Sequence, residues 1–122
     1  MRRLSLMMAR ARRSRCPVAC TLDVLGDRWS LLVVRDVMRG KRRYQEFLES
    51  PEGIPTNILA ERLKRLVAKG VLRSRRYSQH PPRLDYQLTA KGEDLRPLMR
   101  AMVVWGVEHA GGRTPPPVTP SS

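Results

Sequence analysis

Between residues 57 and 88 the apolar pattern changes period once, and that change limits the fold more than any other feature of the chain. From Asn57 to Lys69 the leucines at 59, 63 and 66 recur at helical spacing, and Gly70 ends the run. From Leu84 to Leu88, apolar residues alternate with Asp85 and Gln87, as on a half-buried strand. Val71 to Tyr77 reads as its partner strand, and Ser78 to Arg83, with Pro81-Pro82, as a rigid polar loop. At about 100° per residue, Asn57, Ala60, Glu61, Lys64, Arg65 and Ala68 fall within an arc of about 140° facing away from the leucines. One side of this helix packs. The other is polar, small and basic.

Three helical patterns precede it and one follows. Pro17 suits the first turn of a short helix that reaches Leu25 and closes at Gly26. Asp27 is placed to cap a second helix, Arg28 to about Met38, with Trp29, Leu32, Val33 and Val37 on one face and Gly40 at its end. Tyr44, Phe47 and Leu48 give a short third helix its apolar face, and Ser50-Pro51-Glu52-Gly53 is a turn signal. Thr56 is the expected cap of the fourth helix. Thr89 is the expected cap of a final helix, Ala90 to about His109, whose apolar stripe is Leu95, Leu98, Met99, Met102 and Trp105.

Charge narrows the partner. Among 122 residues, 24 are Lys or Arg and 11 are Asp or Glu, a net charge of +13. The excess sits in two places: six arginines and no acid in residues 1–15, and ten basic against four acidic side chains in 41–76. Only four of the cations are lysine, and the arginine fork suits phosphate oxygens and guanine edges. A polyanion, most plausibly nucleic acid, is the expected partner. The organisation reads as a mobile basic arm over 1–15, one domain over 16–110 and a disordered Pro-rich tail over 111–122. The arm is read either as a phosphate-binding extension or as an overlong gene start, Met7 and Met8 being alternative initiators. No segment reads as a signal peptide or a membrane span, so a cytoplasmic protein with no membrane partner and reduced cysteines is expected.

Three helices, a fourth with a basic outer face and then a hairpin with a cationic loop make a winged helix-turn-helix. The fold class is α+β, mostly α, with a two-stranded wing and a C-terminal dimerisation helix. A major groove about 12 Å wide admits one helix, the short preceding helix braces it, and the hairpin loop reaches neighbouring phosphates. The expected contacts are Asn57, Glu61, Lys64 and Arg65 on the fourth helix and Thr56 with the helix N-terminus on a phosphate. Arg43 is placed to fix register from the bracing helix, and Arg76, His80 and Arg83 to do so from the wing. Arg76 has an alternative role, pairing with Asp85 across the hairpin.

The ordered set Cys16-Pro17, Gly26-Asp27-Arg28-Trp29, Arg43-Tyr44 with Phe47, Gly53-Ile54-Pro55-Thr56, Leu59-x-x-Arg62-Leu63-x-x-Leu66, Gly70-Val71-Leu72 and Pro81-Pro82-x-Leu84-Asp85-Tyr86-x-Leu88-Thr89-x-x-Gly92, followed by Trp105, resembles the HxlR family of MarR-related winged-helix regulators. Arg28 stands where a lysine is usual, and Tyr44 and Phe47 where Phe and Leu are common. The resemblance implies a homodimeric transcriptional regulator, expected to repress, at a palindromic operator. It also implies a dimer interface built from the first and last helices, and the stripe Leu95, Leu98, Met99, Met102 and Trp105 exceeds what a lone small domain would show outside.

Cys16 and Cys20 form the candidate redox switch. Cys16 precedes a helix and neighbours Arg13 and Arg15, which favour thiolate. Some relatives sense oxidants or electrophiles at the corresponding position, so the resemblance admits an oxidant, an electrophile or another small molecule as effector. Cysteines and histidines do not gather into a metal-ligand pattern, and no phosphate-cradling glycine motif, nucleophile elbow or HExxH is present. Neither an enzyme nor a cofactor is expected. The rival function is a basic architectural protein that coats nucleic acid without reading it; an aromatic content of 5% offers few stacking platforms for single strands.

Overall fold

Leu59, Leu63 and Leu66 lie at the centre of the core, at most 1% exposed, and the rest of the chain is arranged around them. The computed structural model describes residues 14–113. The expectations for the arm through residue 13 and for the tail from 114 onward lie outside those residues.

The element order is α1 (Pro17–Leu25), α2 (Ser30–Met38), α3 (Tyr44–Leu48), α4 (Thr56–Ala68), β1 (Leu72–Gln79), β2 (Pro82–Leu88), α5 (Ala90–Glu93) and α6 (Arg96–His109). Val33, Val34 and Val37 from α2 and Phe47 from α3 close over the α4 leucines, with Val71 and Leu72 completing the core below. The architecture is mostly helical with one antiparallel two-stranded sheet, as the patterns predict.

Caps explain several boundaries. Trp29, not Asp27, occupies the cap position of α2, which begins two residues later than Arg28; Asp27 Oδ2 still accepts the amides of Trp29 at 3.0 Å and Ser30 at 3.2 Å and so satisfies the helix start from two residues upstream. Thr89 Oγ1 accepts the Gly92 amide at 3.1 Å and starts α5. Gly70 takes φ +76° after α4, a left-handed conformation that ends the helix. Gly92 permits a close approach: a Cβ there would lie 2.3 Å from the Val71 carbonyl oxygen.

Four other expectations need correction. Thr56 does not cap α4; Pro55 occupies that position in extended conformation and Thr56 is the first helical residue. The final helix is not continuous, because Asp94 and Leu95 separate α5 from α6 and Pro97 sits in the first turn of α6, where its missing N–H costs nothing. The hairpin strands run further than the alternation suggested, to Gln79 and from Pro82, so only His80 and Pro81 lie between them. Arg76 does not pair with Asp85: the register sets Arg75 opposite Asp85 and Arg76 opposite Leu84.

Candidate nucleic-acid interface

The loop between α3 and α4 is fixed from behind by ions. Arg35 grips Glu52 with two nitrogens, at 2.7 and 2.8 Å, and reaches Asp36 Oδ1 at 2.9 Å. The Ser50 hydroxyl donates to the buried Asp36, and Lys41 donates to Ser50 at 2.7 Å. The Arg35 guanidinium holds the Glu52 carboxyl at about 2, well below its ordinary value. The turn that orients α4 against α3 is therefore tied to α2.

Two arginines on α4 tie it to the α1–α2 elbow. Arg62 Nε donates to Asp27 Oδ2 at 2.6 Å, and Arg65 Nη2 donates to the Asp23 carbonyl at 2.8 Å. Partial burial opposes ionisation of Asp27, but the Ser30 hydroxyl, Arg62 and the Trp29 amide together hold its carboxyl far below the usual range.

With its leucines buried and its arginine flank tied down, α4 presents Asn57, Ala60, Glu61 and Lys64 to solvent. Lys64 makes no ion pair or hydrogen bond among the described residues, whereas Glu61 is paired with Arg62. Thr56 is exposed, and its carbonyl accepts the Tyr44 hydroxyl at 2.8 Å. Arg65 is half-buried, one of its five donors committed to Asp23.

The wing continues the same surface. A groove of about 550 Å³ runs between α3 and the hairpin, lined by Arg43, Tyr44, Gln45, Tyr77, Arg83 and Tyr86. Arg43 lies 3.9 Å from the Tyr77 ring centroid, a cation–π contact that joins the start of α3 to the wing. Arg43 also forms a bridge with Asp85, adding a third short edge to the sheet. Arg76, His80 and Arg83 are exposed, and the His80–Pro81 bond is cis. Burial is the main influence raising the Tyr86 hydroxyl above its ordinary value, with Tyr44 adding to it.

The cysteines lie far from this face along the chain, Cys16 at the N-cap of α1 and Cys20 within it, and both are free and exposed. The amides of Ala19, then Val18, lower the Cys16 thiol from its ordinary value. The influence comes from the first-turn amides rather than from Arg15, and Arg13 lies outside the described residues. Of the α6 stripe, Leu95 and Met99 pack partly on the core, while Leu98, Met102 and Trp105 face outward. Val103, Val104 and Val107, absent from the sequence-derived stripe, are exposed as well. Also missed were Asp27 with Arg62 and Asp23 with Arg65, pairs 35 and 42 residues apart.

A short bracing helix, a helix with a polar outer face and a basic hairpin in one surface define a winged helix-turn-helix protein. The HxlR-like helix-turn-helix family profile matches residues 24–113, so the chain belongs to that family and is a transcriptional regulator of helix-turn-helix type. A helix-turn-helix regulator of Synechocystis is 37% identical over 87 residues, covering 71% of this chain and 64% of that protein. The match thus spans less than two-thirds of that relative's length. The crystal structure of PA1607, described as a candidate transcription factor, superposes with a TM-score of 0.74 at 40% identity, covering 88% of this chain and 75% of that one. The redox regulator HypR in its reduced form gives a TM-score of 0.71 at 34% identity, over 77% of this chain and 93% of HypR. These relatives are regulators rather than enzymes. Among the described residues no helix is long and apolar enough to cross a membrane.

Proposed function

We propose that the chain is a homodimeric repressor that reads a palindromic double-stranded operator and releases it when a thiol or a ligand site on the dimer is engaged. The exposed face of α4 carries this reading. Asn57 and Lys64 sit where a helix laid in the major groove meets base edges, Asn for adenine and Lys for guanine. Glu61, held by Arg62, is positioned to accept from cytosine, and Arg65 retains donors for phosphate or guanine. Thr56 and the α4 N-terminus take a phosphate. Arg43, Arg76, His80 and Arg83 line or flank the groove between α3 and the wing, where the backbone of the adjoining minor groove would run.

The dimer reading rests on apolar surface left outside the chain. Trp105 is 62% exposed and Val104 56%, and on α1 Val18 is 67% and Leu22 58% exposed. A two-fold pairing through α1 and α6 buries these faces on both copies at once and sets two α4 helices at a fixed spacing. The similarity to a redox regulator, with the lowered Cys16 thiol, supports oxidation at Cys16, with Cys20 one turn away, as the switch. Replacing Cys16 by Ser should then leave operator affinity intact and abolish its loss on treatment with oxidant.

The test is fluorescence anisotropy, reduced and at physiological salt, with a duplex from upstream of the protein's own gene and a scrambled duplex of equal length. A preference of about a hundredfold, with two chains per duplex, establishes the reading. Equal affinity for selected and random sequences, collapsing as salt rises, makes the protein a basic coat instead.

A further inference from the structure

A second cleft, of about 300 Å³, lies away from the reading face of α4. The C-terminal end of α2 and Gly40 form one wall, and the base of the hairpin forms another, at Arg73 and Gln87. The α5–α6 junction, at Glu93 and Arg96, makes the third, and Arg42 also lines the cleft. None of Asn57, Glu61 or Lys64 lines it. Arg73 is at the root of the wing, about 20 Å along the strand from the tip at Gln79. A duplex held by α4 and the wing tip does not need this cleft.

Three guanidinium groups line the cleft against one carboxylate. Glu93 is paired with Arg96 on the exposed rim, and Arg73 Nη2 donates to Gln87 Oε1 at 3.0 Å. Arg42 is different. Its main chain is pinned on both sides, the amide donating to Glu46 Oε1 at 3.0 Å and the carbonyl accepting the Tyr86 amide at 2.8 Å. Its guanidinium has no hydrogen-bond or ion-pair partner among the described residues. The result is an uncommitted guanidinium on an anchored main chain beside two more cations, in a concavity of metabolite size.

We infer that this cleft binds a small polyanion bearing several oxygens, a phosphomonoester or a polycarboxylate, gripped by Arg42, Arg73 and Arg96. Forked hydrogen bonds from arginine match either group, since both present paired oxygens to the guanidinium plane. The occupant would touch the first turn of α6 and the root of the wing together.

Isothermal titration of the full chain in chloride buffer, with inorganic phosphate and separately with citrate, tests the inference and shows which anion class is preferred. Saturable one-to-one binding by either probe, with a dissociation constant of about 1 mM or tighter, is expected. Arg42→Ala and Arg96→Ala should each weaken it about tenfold, whereas Arg28→Ala, at the distant α1–α2 elbow, should leave it unchanged. Circular dichroism melting of each variant confirms folding, and Arg42, with no side-chain partner, gives the cleanest readout. Absence of saturable binding overturns the inference. So does an equal loss in Arg28→Ala, which would mark general charge attraction. Duplex affinity that drops in Arg42→Ala while neither anion binds would assign these arginines to DNA phosphates and overturn it too.

Discussion

Helices α4 and α6 are nearly equal in length, 13 and 14 residues, and both are amphipathic, yet they end in opposite situations. Helix α4 buries Leu59, Leu63 and Leu66 within its own chain, while no residue of α6 is fully buried. The difference lies in what surrounds them. Helix α4 is enclosed by α2, α3 and the hairpin, and two arginine ties fix its flank. Helix α6 leaves the domain after Leu95 and Met99 and carries its remaining apolar residues into solvent. An amphipathic pattern therefore specifies a face that must be covered, not which chain covers it. One helix is completed by folding; in the proposed dimer the other is completed by association.

The sharpest way to break this comparison is to remove one side chain from each helix. Leu63→Ala should cost about 3 kcal/mol in urea unfolding, because it leaves a cavity in a close-packed site. If α6 were equally engaged within the chain, Trp105→Ala would cost a similar amount at every protein concentration. The expected outcome is instead a weakened dimer, by about 2 kcal/mol or more, seen by sedimentation equilibrium, with little change in the unfolding of the dissociated chain.

Smaller effects sharpen the account of why α4 is held. Asp27→Asn should destabilise by about 1.5 kcal/mol, since Arg62 loses its charged partner and α2 the charged acceptor at its start. Acid should act through Glu52. Its carboxyl falls from an ordinary value of 4.5 to about 2 in the fold, so its stabilisation is complete above pH 4.5 and is lost as pH drops towards 2. Solvent screening limits that loss to about 1 kcal/mol, and Glu52→Gln should flatten the acid limb of a melting-against-pH curve. Lys64→Ala should leave stability within about 0.5 kcal/mol while lowering duplex affinity and, where it meets phosphate, reducing the salt slope by about one.

Much of this was legible from local signals. Leucine spacing with Gly70 at its end defines α4, Thr89 caps α5, and Asp27 accepts the amides that open α2 from just outside the cap position. The misread parts depend on offsets between strands and on distant partners. Arg75 and Arg76 are chemically identical candidates for Asp85, and only the hairpin register, irregular between Arg76 and Ser78, decides between them. Arg65 looked like a free cation because its partner is a backbone carbonyl 42 residues earlier, which leaves no mark in composition or spacing. Pro97 did signal the break before α6: in a continuous helix from Ala90 it would fall in the interior, where it removes a backbone bond and clashes with the preceding turn, and the continuous reading passed over it. Of the interface itself, residue types and faces were legible; which cations are already committed was not.

The stack of Arg43 on Tyr77 has a mechanical meaning for the wing. Without it the hairpin is held no further out than the backbone bridge of Arg43 to Asp85, which leaves a free arm of about 13 Å from Arg75, opposite Asp85, to Gln79. Supported at Tyr77, the free arm shortens to about 7 Å, and the same angular play moves the tip about half as far. One cation set against one ring therefore bears on how finely the outer polar side chains of the hairpin, His80 and Arg83, can be aimed.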